Sequence, residues 1–232
     1  ARLREVFEAT PLQRNAHLSE IYEADILLKR EDLTPVRSYK IRGAFNAMTN
    51  AMKGRETSPL FVCASAGNHA QGVAFMCKYL GVRGRIFMPV TTPSQKIMKT
   101  KTFGGDLIEI KLVGDYFDET LAAAKAYCEA EHGIFLPPFD AEDVIMGQST
   151  VAAEIEEQLG QAPDLIVLPV GGGGLSAGVT SYFGGETHYA FIEPSGGACL
   201  AAAQEAGKPV PLARVDSFVD GAAVAEIGQL TF

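Results

Sequence analysis

The sequence has few cysteines, no cluster of positive charge and no long apolar run. Its four cysteines form no C-x-x-C pair, which argues against a disulfide or zinc framework and indicates reduced thiols in a cytoplasmic protein. The net charge of −8 argues against nucleic acid and anionic membranes as partners. No stretch approaches the ~20 apolar residues of a membrane helix, and charges at Arg2, Arg4, Glu5 and Glu8 argue against a signal peptide in this region. The chain begins without methionine, so we expect residues before Ala1 in the native protein.

Short apolar runs alternate along the chain with amphipathic segments, which predicts an α/β fold. The predicted strands are 26–29, 60–64, 85–89, 107–112, 134–136, 165–170 and 189–192. The predicted helices begin near Lys40 and then cover 69–80, 93–103, 117–131, 147–159 and 175–182. Helical crossovers between strands predict parallel sheets with right-handed connections, and the apolar runs at 60–64 and 165–170 are expected to be buried.

Four consecutive glycines, Gly171 to Gly174, follow the strand at 165–170 and precede a helix. Glycine allows a tight turn and a close approach of the backbone to a ligand, and a helix N-terminus attracts anions. The spacing fits neither the dinucleotide motif nor a Walker loop, which needs a lysine. The loop therefore predicts a phosphate held mostly by backbone N–H groups. The alternative is a flexible turn.

Lys40 lies near the start of an amphipathic segment. A single lysine is usually a solvated surface residue. A lysine that forms a Schiff base must be able to lose its proton, which burial or nearby cations such as Arg37 and Arg42 can promote.

A third loop, Ser65-Ala66-Gly67-Asn68-His69, also lies between a buried strand and a helix. Its small residues leave N–H groups free for a carboxylate, and Asn68 could contact a ligand ring. The alternative is simple capping of the helix by Ser65 or Asn68. His69 is placed at the helix start, without a role as a base.

The three motifs occur in one chain and in a fixed order: Ser38-Tyr39-Lys40-Ile41-Arg42-Gly43, then Ser65-Ala66-Gly67-Asn68-His69-Ala70-Gln71-Gly72, then Gly171-Gly172-Gly173-Gly174-Leu175-Ser176-Ala177-Gly178. Together they resemble the tryptophan-synthase-β-like, fold type II pyridoxal-phosphate enzymes. Within that family the chain is most similar to the threonine dehydratases of the biosynthetic type, which feed isoleucine synthesis. The resemblance extends over essentially all 232 residues.

The resemblance implies a role for each motif. Lys40 would form the Schiff base with pyridoxal phosphate and later remove the Cα proton. Tyr39 would pack at the cofactor's edge and Asn68 would bond its ring oxygen. The phosphate would be held by Gly171, Gly172, Gly173, Gly174 and Leu175. The substrate carboxylate would be held by Ser65, Ala66, Gly67, Asn68 and His69. The implied reaction converts L-threonine to 2-oxobutanoate and ammonia.

The resemblance also implies two open, mainly parallel α/β/α domains with the cofactor site in the cleft between them. We predict a large cofactor-binding domain from 1–58 and 138–232, a small mobile domain from 59–137, and a homodimer or homotetramer. In this family the pyridine nitrogen contacts a later segment. We therefore expect the complete pocket to need residues beyond Phe232.

Two departures from the family narrow the prediction. Racemases of this family have a second catalytic serine where this chain has Ala66, so racemisation is not expected. Some relatives bind a divalent cation through residues that match Glu193 and Cys199. A thiol is a poor ligand for a hard cation, so no metal is predicted.

Three other functions stay open at this point. A serine dehydratase, or an enzyme acting on both amino acids, differs from the favoured function by one methyl group of the substrate, worth only ~1–3 kcal/mol in a pocket. A truncated relative that binds an amino acid or phosphate without catalysis belongs to another class. A dinucleotide-binding protein is disfavoured by the glycine spacing.

Overall fold

The computed structural model describes residues 2–216 and 218–232. The first part of the chain is a short 3-10 turn, Arg2–Glu5, and an antiparallel pair of strands, β1 (Leu12–Arg14) and β2 (Leu27–Lys29). Helix α1 (Ala16–Ile21) connects the two strands. The prediction of a strand at 26–29 is confirmed. Its partner β1 is only three residues long and has no alternating pattern that could have indicated it.

A four-stranded parallel sheet forms the middle of the chain, in the order β5-β4-β3-β6. The strands are β3 (Phe61–Ala64), β4 (Gly84–Met88), β5 (Ile108–Leu112) and β6 (Ile134–Phe135). The crossover helices are α3 (Asn68–Leu80), α4 (Ser94–Gly104) and α5 (Phe117–Ala130). Every residue of β3 and β4 is buried, because helices cover both faces of the sheet. The predicted strands and crossovers of this region are confirmed.

The last part of the chain has one parallel pair of strands and a layer of helices. The elements are α6 (Glu142–Leu159), β7 (Leu165–Pro169), α7 (Gly174–Phe183), β8 (His188–Ile192) and α8 (Cys199–Ala206). Helix α6 begins well before the predicted start at Gly147. Gly147 lies inside this helix and not at its end. The residue is a glycine because a side chain there would meet the backbone of Arg42 at 2.5 Å. It allows a close helix crossing.

Helix α2 (Lys40–Met52) packs on both of these regions. Ile41 and Met48 join the core that lies beneath α3 and the four-stranded sheet. Helix α2 also packs against α6, and the two helices approach each other closely at Gly147. The α/β fold class is confirmed, and the domain boundaries near residues 59 and 138 stay a prediction.

The prediction that 165–170 is a buried strand is wrong for one face of β7. Leu165 is 54% exposed and Val167 is 60% exposed, whereas the neighbouring Leu168, which points to the other face, is buried. Strand β7 pairs only with β8 among the described residues, and α7 packs on the other face of the pair. An apolar run alone cannot show how many faces of a strand are covered.

All four cysteines are buried and free of disulfides, as the sequence indicates. Within the described ranges, no helix combines the length and apolar character that a bilayer crossing requires.

Candidate active site

Lys40 is the first residue of α2, and a tight turn fixes its position. The hydroxyl of Thr34 accepts a hydrogen bond from the Ser38 N–H at 2.8 Å and donates one to the Ser38 carbonyl at 2.9 Å. The Ser38 hydroxyl accepts from the Lys40 N–H at 3.1 Å. Arg37, inside this turn, has a φ of 63°, a left-handed conformation that a residue with a side chain rarely adopts. The turn therefore holds Lys40 by its backbone.

The side chain of Lys40 is half-buried, and its amine makes one strong hydrogen bond. Its Nζ donates to the carbonyl oxygen of Pro138 at 2.6 Å. Burial lowers the pKa of Lys40 to about 8, because the charged form loses its hydration. The suggested help from flanking cations is not found. Arg37 is exposed, and the guanidinium of Arg42 is bound to Glu31 and Glu154.

The loop before α3 leaves part of its backbone N–H groups without an acceptor among the described residues. The Ser65 hydroxyl accepts from the Gly67 N–H at 3.1 Å, and no side chain caps the helix. Capping by Ser65 or Asn68, the alternative interpretation, therefore does not occur. The N–H groups of Asn68 and His69 have no acceptor within residues 2–216 and 218–232. The exposed Asn68 side chain bonds none of these residues either, so the loop is suited to bind a carboxylate.

The glycine loop before α7 is shaped by close contacts on one side. A side chain at Gly172 would meet the Phe139 ring at 2.2 Å, and one at Gly173, whose φ is 86°, would meet the Thr231 hydroxyl at 2.7 Å. The Gly172 carbonyl accepts from the Thr231 hydroxyl at 2.7 Å, and the Gly171 carbonyl accepts from the Cys199 thiol at 3.3 Å. The glycines are therefore required by packing, which excludes a merely flexible turn.

The N–H groups of the same loop remain available. In the part of the chain that the structure describes, those of Gly171 to Gly174 donate to no acceptor, and no side chain caps α7. A helix N-terminus with several free donors is a site for phosphate.

The fold brings the three motifs together around Lys40. A side chain at Gly72, in the first turns of α3, would lie 3.3 Å from the Lys40 carbonyl. The Lys40 amine lies 5.8 Å from the centre of the Phe139 ring, which packs directly on the glycine loop. The Tyr39 ring is 5.4 Å from the same amine. Shared contacts thus connect the half-buried amine with two helix N-termini, several of whose N–H groups have no acceptor among the described residues. This arrangement fits a cofactor that carries an aldehyde and a phosphate.

Comparison with known proteins agrees with this donor set. Residues 3–232 match the family described as pyridoxal-phosphate dependent enzymes. The chain belongs to this family. Over 99% of its length it is 48% identical to the biosynthetic L-threonine dehydratase of Bacillus subtilis, and over 100% it is 48% identical to that of Corynebacterium glutamicum. It covers 55% and 54% of those proteins, so it spans about half the length of the curated relatives it matches.

Solved structures show the same relationship. The processed form of threonine deaminase isoform 2 from Solanum lycopersicum has a TM-score of 0.91 and 40% identity. The match covers 99% of this chain and 62% of that one. Maize serine racemase also has a TM-score of 0.91, with 27% identity over 99% of this chain and 69% of that one. The family and fold predicted from the motifs are confirmed.

Sequence reasoning missed the residues that join the three motifs. Pro138 and Phe139 contact Lys40 and the glycine loop, and Asp140 accepts from the N–H groups of Gln229 and Leu230 at 3.2 and 2.8 Å. These bonds place the end of the chain beside the glycine loop. The residues Pro138, Phe139 and Asp140 carry no obvious chemical function, so the sequence alone contains no signal of this role.

Glu193 has a structural partner in the position where some relatives bind a cation. Its carboxylate accepts from the N–H groups of Leu200 and Ala201 at 2.7 and 3.0 Å, which caps α8. Cys199 donates to the glycine loop instead of facing a metal. Among the described residues, no group of three or more histidine, cysteine or acidic side chains is arranged to hold a metal ion.

Proposed function

We propose that this chain belongs to an enzyme that dehydrates and deaminates L-threonine to 2-oxobutanoate and ammonia with pyridoxal phosphate. The observation that carries the proposal is the half-buried Lys40 amine, with a pKa of about 8, near two helix N-termini with N–H groups that donate to no acceptor among the described residues. The names of the relatives at 48% identity support threonine as the substrate. This reaction would be the first step of isoleucine synthesis.

The residues present fit the cofactor. Lys40 would bond it covalently, and the N–H groups from Gly171 to Leu175 would hold its phosphate at the start of α7. Asn68, whose exposed side chain bonds no residue within 2–216 and 218–232, would bond the ring oxygen. Tyr39 would pack at the ring edge. When bound, pyridoxal phosphate supplies an electron sink for the charge that develops at the substrate Cα.

The chain itself supplies orientation and proton transfer. The loop Ser65 to His69 would bind the substrate carboxylate through N–H groups at the start of α3, which orients the Cα–H bond. The Lys40 amine would then accept the Cα proton. With a pKa of about 8, a useful fraction of this amine is uncharged near neutral pH, whereas an exposed lysine would be almost fully protonated.

Elimination is favoured over racemisation by the absence of a second proton carrier. Racemisation needs an acid on the opposite face of Cα, and Ala66 offers only a methyl group in the loop that faces the substrate. The names of serine racemases among the structural matches therefore support the fold and not the reaction. Serine as a second substrate remains the alternative, because one methyl group changes binding by only ~1–3 kcal/mol.

The assembly and the cellular compartment of the enzyme are part of the proposal. We infer a cytoplasmic homodimer or homotetramer from the family resemblance and from the four reduced, buried cysteines. A sizing column with light scattering would measure the assembly.

The decisive experiment is to map the lysine that binds the cofactor. The protein is mixed with pyridoxal phosphate, the near-visible absorption of an imine is recorded, and borohydride is used to fix the bond before peptide mapping. We expect the label on Lys40. Lys40→Ala should lose the label, and its rate of threonine turnover should fall by at least about 10²- to 10⁴-fold, the usual contribution of a general base.

The matched control is Lys53→Ala, an exposed lysine at the end of the same helix, which should leave labelling and turnover unchanged. A label elsewhere would refute the proposal. A label on Lys40 without turnover would favour the non-catalytic binding protein, and the ratio of kcat/KM for threonine and serine would decide between the two substrates.

A further inference from the structure

The segment from Leu136 to Phe139 connects β6 to α6 and touches all three motifs. It contains two consecutive prolines, Pro137 and Pro138, which have no N–H group. In the part of the chain that the structure describes, backbone hydrogen bonds therefore fix this segment only at its ends, from the Leu136 N–H to the Val62 carbonyl and from the Ala141 N–H to the Phe139 carbonyl. Between these ends, side chains must hold its carbonyl groups.

Two side chains do so. The Lys40 amine donates to the Pro138 carbonyl at 2.6 Å, and Nε2 of His69 lies 2.9 Å from the Leu136 carbonyl oxygen. A carbonyl can only accept, so Nε2 must carry the hydrogen. The ring of Phe139 then packs on Gly172 and Gly174 of the phosphate loop. A shift of this segment would therefore move the Pro138 carbonyl, which bonds the Lys40 amine, and the Phe139 ring, which packs on the glycine loop.

His69 differs from the other histidines in its surroundings. It is 4% exposed, whereas His17, His132 and His188 are all exposed. Burial and the nearby Lys40 lower its pKa to about 4, with a small opposing effect of the bond to Leu136. The ring is therefore neutral at neutral pH, and its one ring hydrogen is used by Leu136. It has no proton to give to a substrate.

We infer that His69 is a positioning residue whose Nε2–H bond to Leu136 fixes the 136–139 segment and thereby the environment of the Lys40 amine. This role is additional to the binding of substrate by its backbone N–H. The inference rests on the proposed function of Lys40 and concerns how that amine is kept half-buried.

The test measures the Lys40 amine directly, in the full chain without added cofactor or substrate. Labelling with acetic anhydride at a series of pH values, followed by peptide mass spectrometry, gives the midpoint at which Lys40 becomes reactive. The variants are His69→Leu, which removes the donor, and His69→Gln, whose amide nitrogen can take the place of Nε2. His132→Gln is the control on an exposed histidine. Circular dichroism checks that each variant folds.

We expect the midpoint of His69→Leu to rise from about 8 toward the ordinary 10.5, because a loosened segment admits water to the amine. His69→Gln should return the midpoint close to the unmodified protein, and His132→Gln should not move it. A folded His69→Leu protein with an unchanged midpoint would overturn the inference. So would equal shifts in the leucine and glutamine variants, since the donor would then be irrelevant.

If His69→Leu does not fold, His69→Asn replaces it, because its shorter side chain cannot reach Leu136. An unchanged midpoint in folded His69→Asn, or a shift equal to that of His69→Gln, would then overturn the inference. Since the readout needs neither turnover nor bound cofactor, failure of the proposed reaction and failure of this inference are distinguishable.

Discussion

Replacement of Arg42 by methionine should be one of the most destabilising single changes in this chain. The guanidinium is fully buried and makes two bidentate pairs, with Glu31 at 2.7 and 2.8 Å and with Glu154 at 2.8 and 2.9 Å. Methionine fills similar volume without charge, so both carboxylates lose their main partner in a poorly hydrated site. Lys29, at 2.7 Å from Glu154, compensates only in part.

Removal of one partner from a buried ion pair costs about 3–5 kcal/mol. The two pairs do not add, because they share one guanidinium. We therefore expect Arg42→Met to lower the free energy of unfolding by about 3–5 kcal/mol, measured by urea denaturation at pH 7 with far-ultraviolet circular dichroism. Arg14→Met, which removes an exposed pair with Asp25, is the control and should change it by less than about 1 kcal/mol. A loss below about 1 kcal/mol for Arg42→Met would refute the reasoning.

The same network predicts the pH dependence of stability. Burial raises the pKa of Glu154, but the bonds and charges of Arg42 and Lys29 outweigh it and lower the pKa to about 2. A carboxyl group with a depressed folded-state pKa stabilises the protein above its ordinary value of 4.5, and this contribution is lost as the pH falls toward 2. Urea midpoints between pH 6 and pH 2.5 should show this loss, and Arg42→Met should reduce it. An equal slope in both proteins would contradict the assignment.

Three further changes test other parts of the site. Gly172→Ala places a methyl group 2.2 Å from the Phe139 ring and should cost about 1–3 kcal/mol of stability and weaken cofactor binding, measured by urea denaturation and cofactor titration. Unchanged binding would show that the loop can relax. Glu193→Ala removes the cap of α8 and should cost about 1 kcal/mol, with no response of the melting temperature to magnesium in either protein. Cys63, buried with a raised pKa, should resist alkylation by iodoacetamide until the protein unfolds, and fast labelling in the native state would contradict its placement.

The sequence predicted most of the elements that carry the site. Buried strands such as β3 and crossover helices such as α3 have strong local patterns, so their positions followed from the residues alone. The ends of elements are harder to predict. In the sequence Gly147 looks like the start of α6, whereas in the structure it lies inside the helix at a helix crossing. The exposed face of β7 could not be predicted either, because exposure depends on which elements cover a strand and not on its own residues.

The motifs by themselves determined the family and singled out Lys40 as the predicted cofactor lysine, because a lysine, a small-residue loop and a glycine loop in fixed order constrain the chemistry strongly. Only the tertiary structure decided why Lys40 can lose its proton. The flanking arginines, the plausible cause in the sequence, contribute nothing, since Arg42 is held by Glu31 and Glu154. The cause is the partial loss of hydration of the Lys40 side chain inside the fold, beside residues such as Pro138, which is 98 positions away. A shift in pKa depends on hydration and on neighbours in space, and neither can be read from neighbours along the chain.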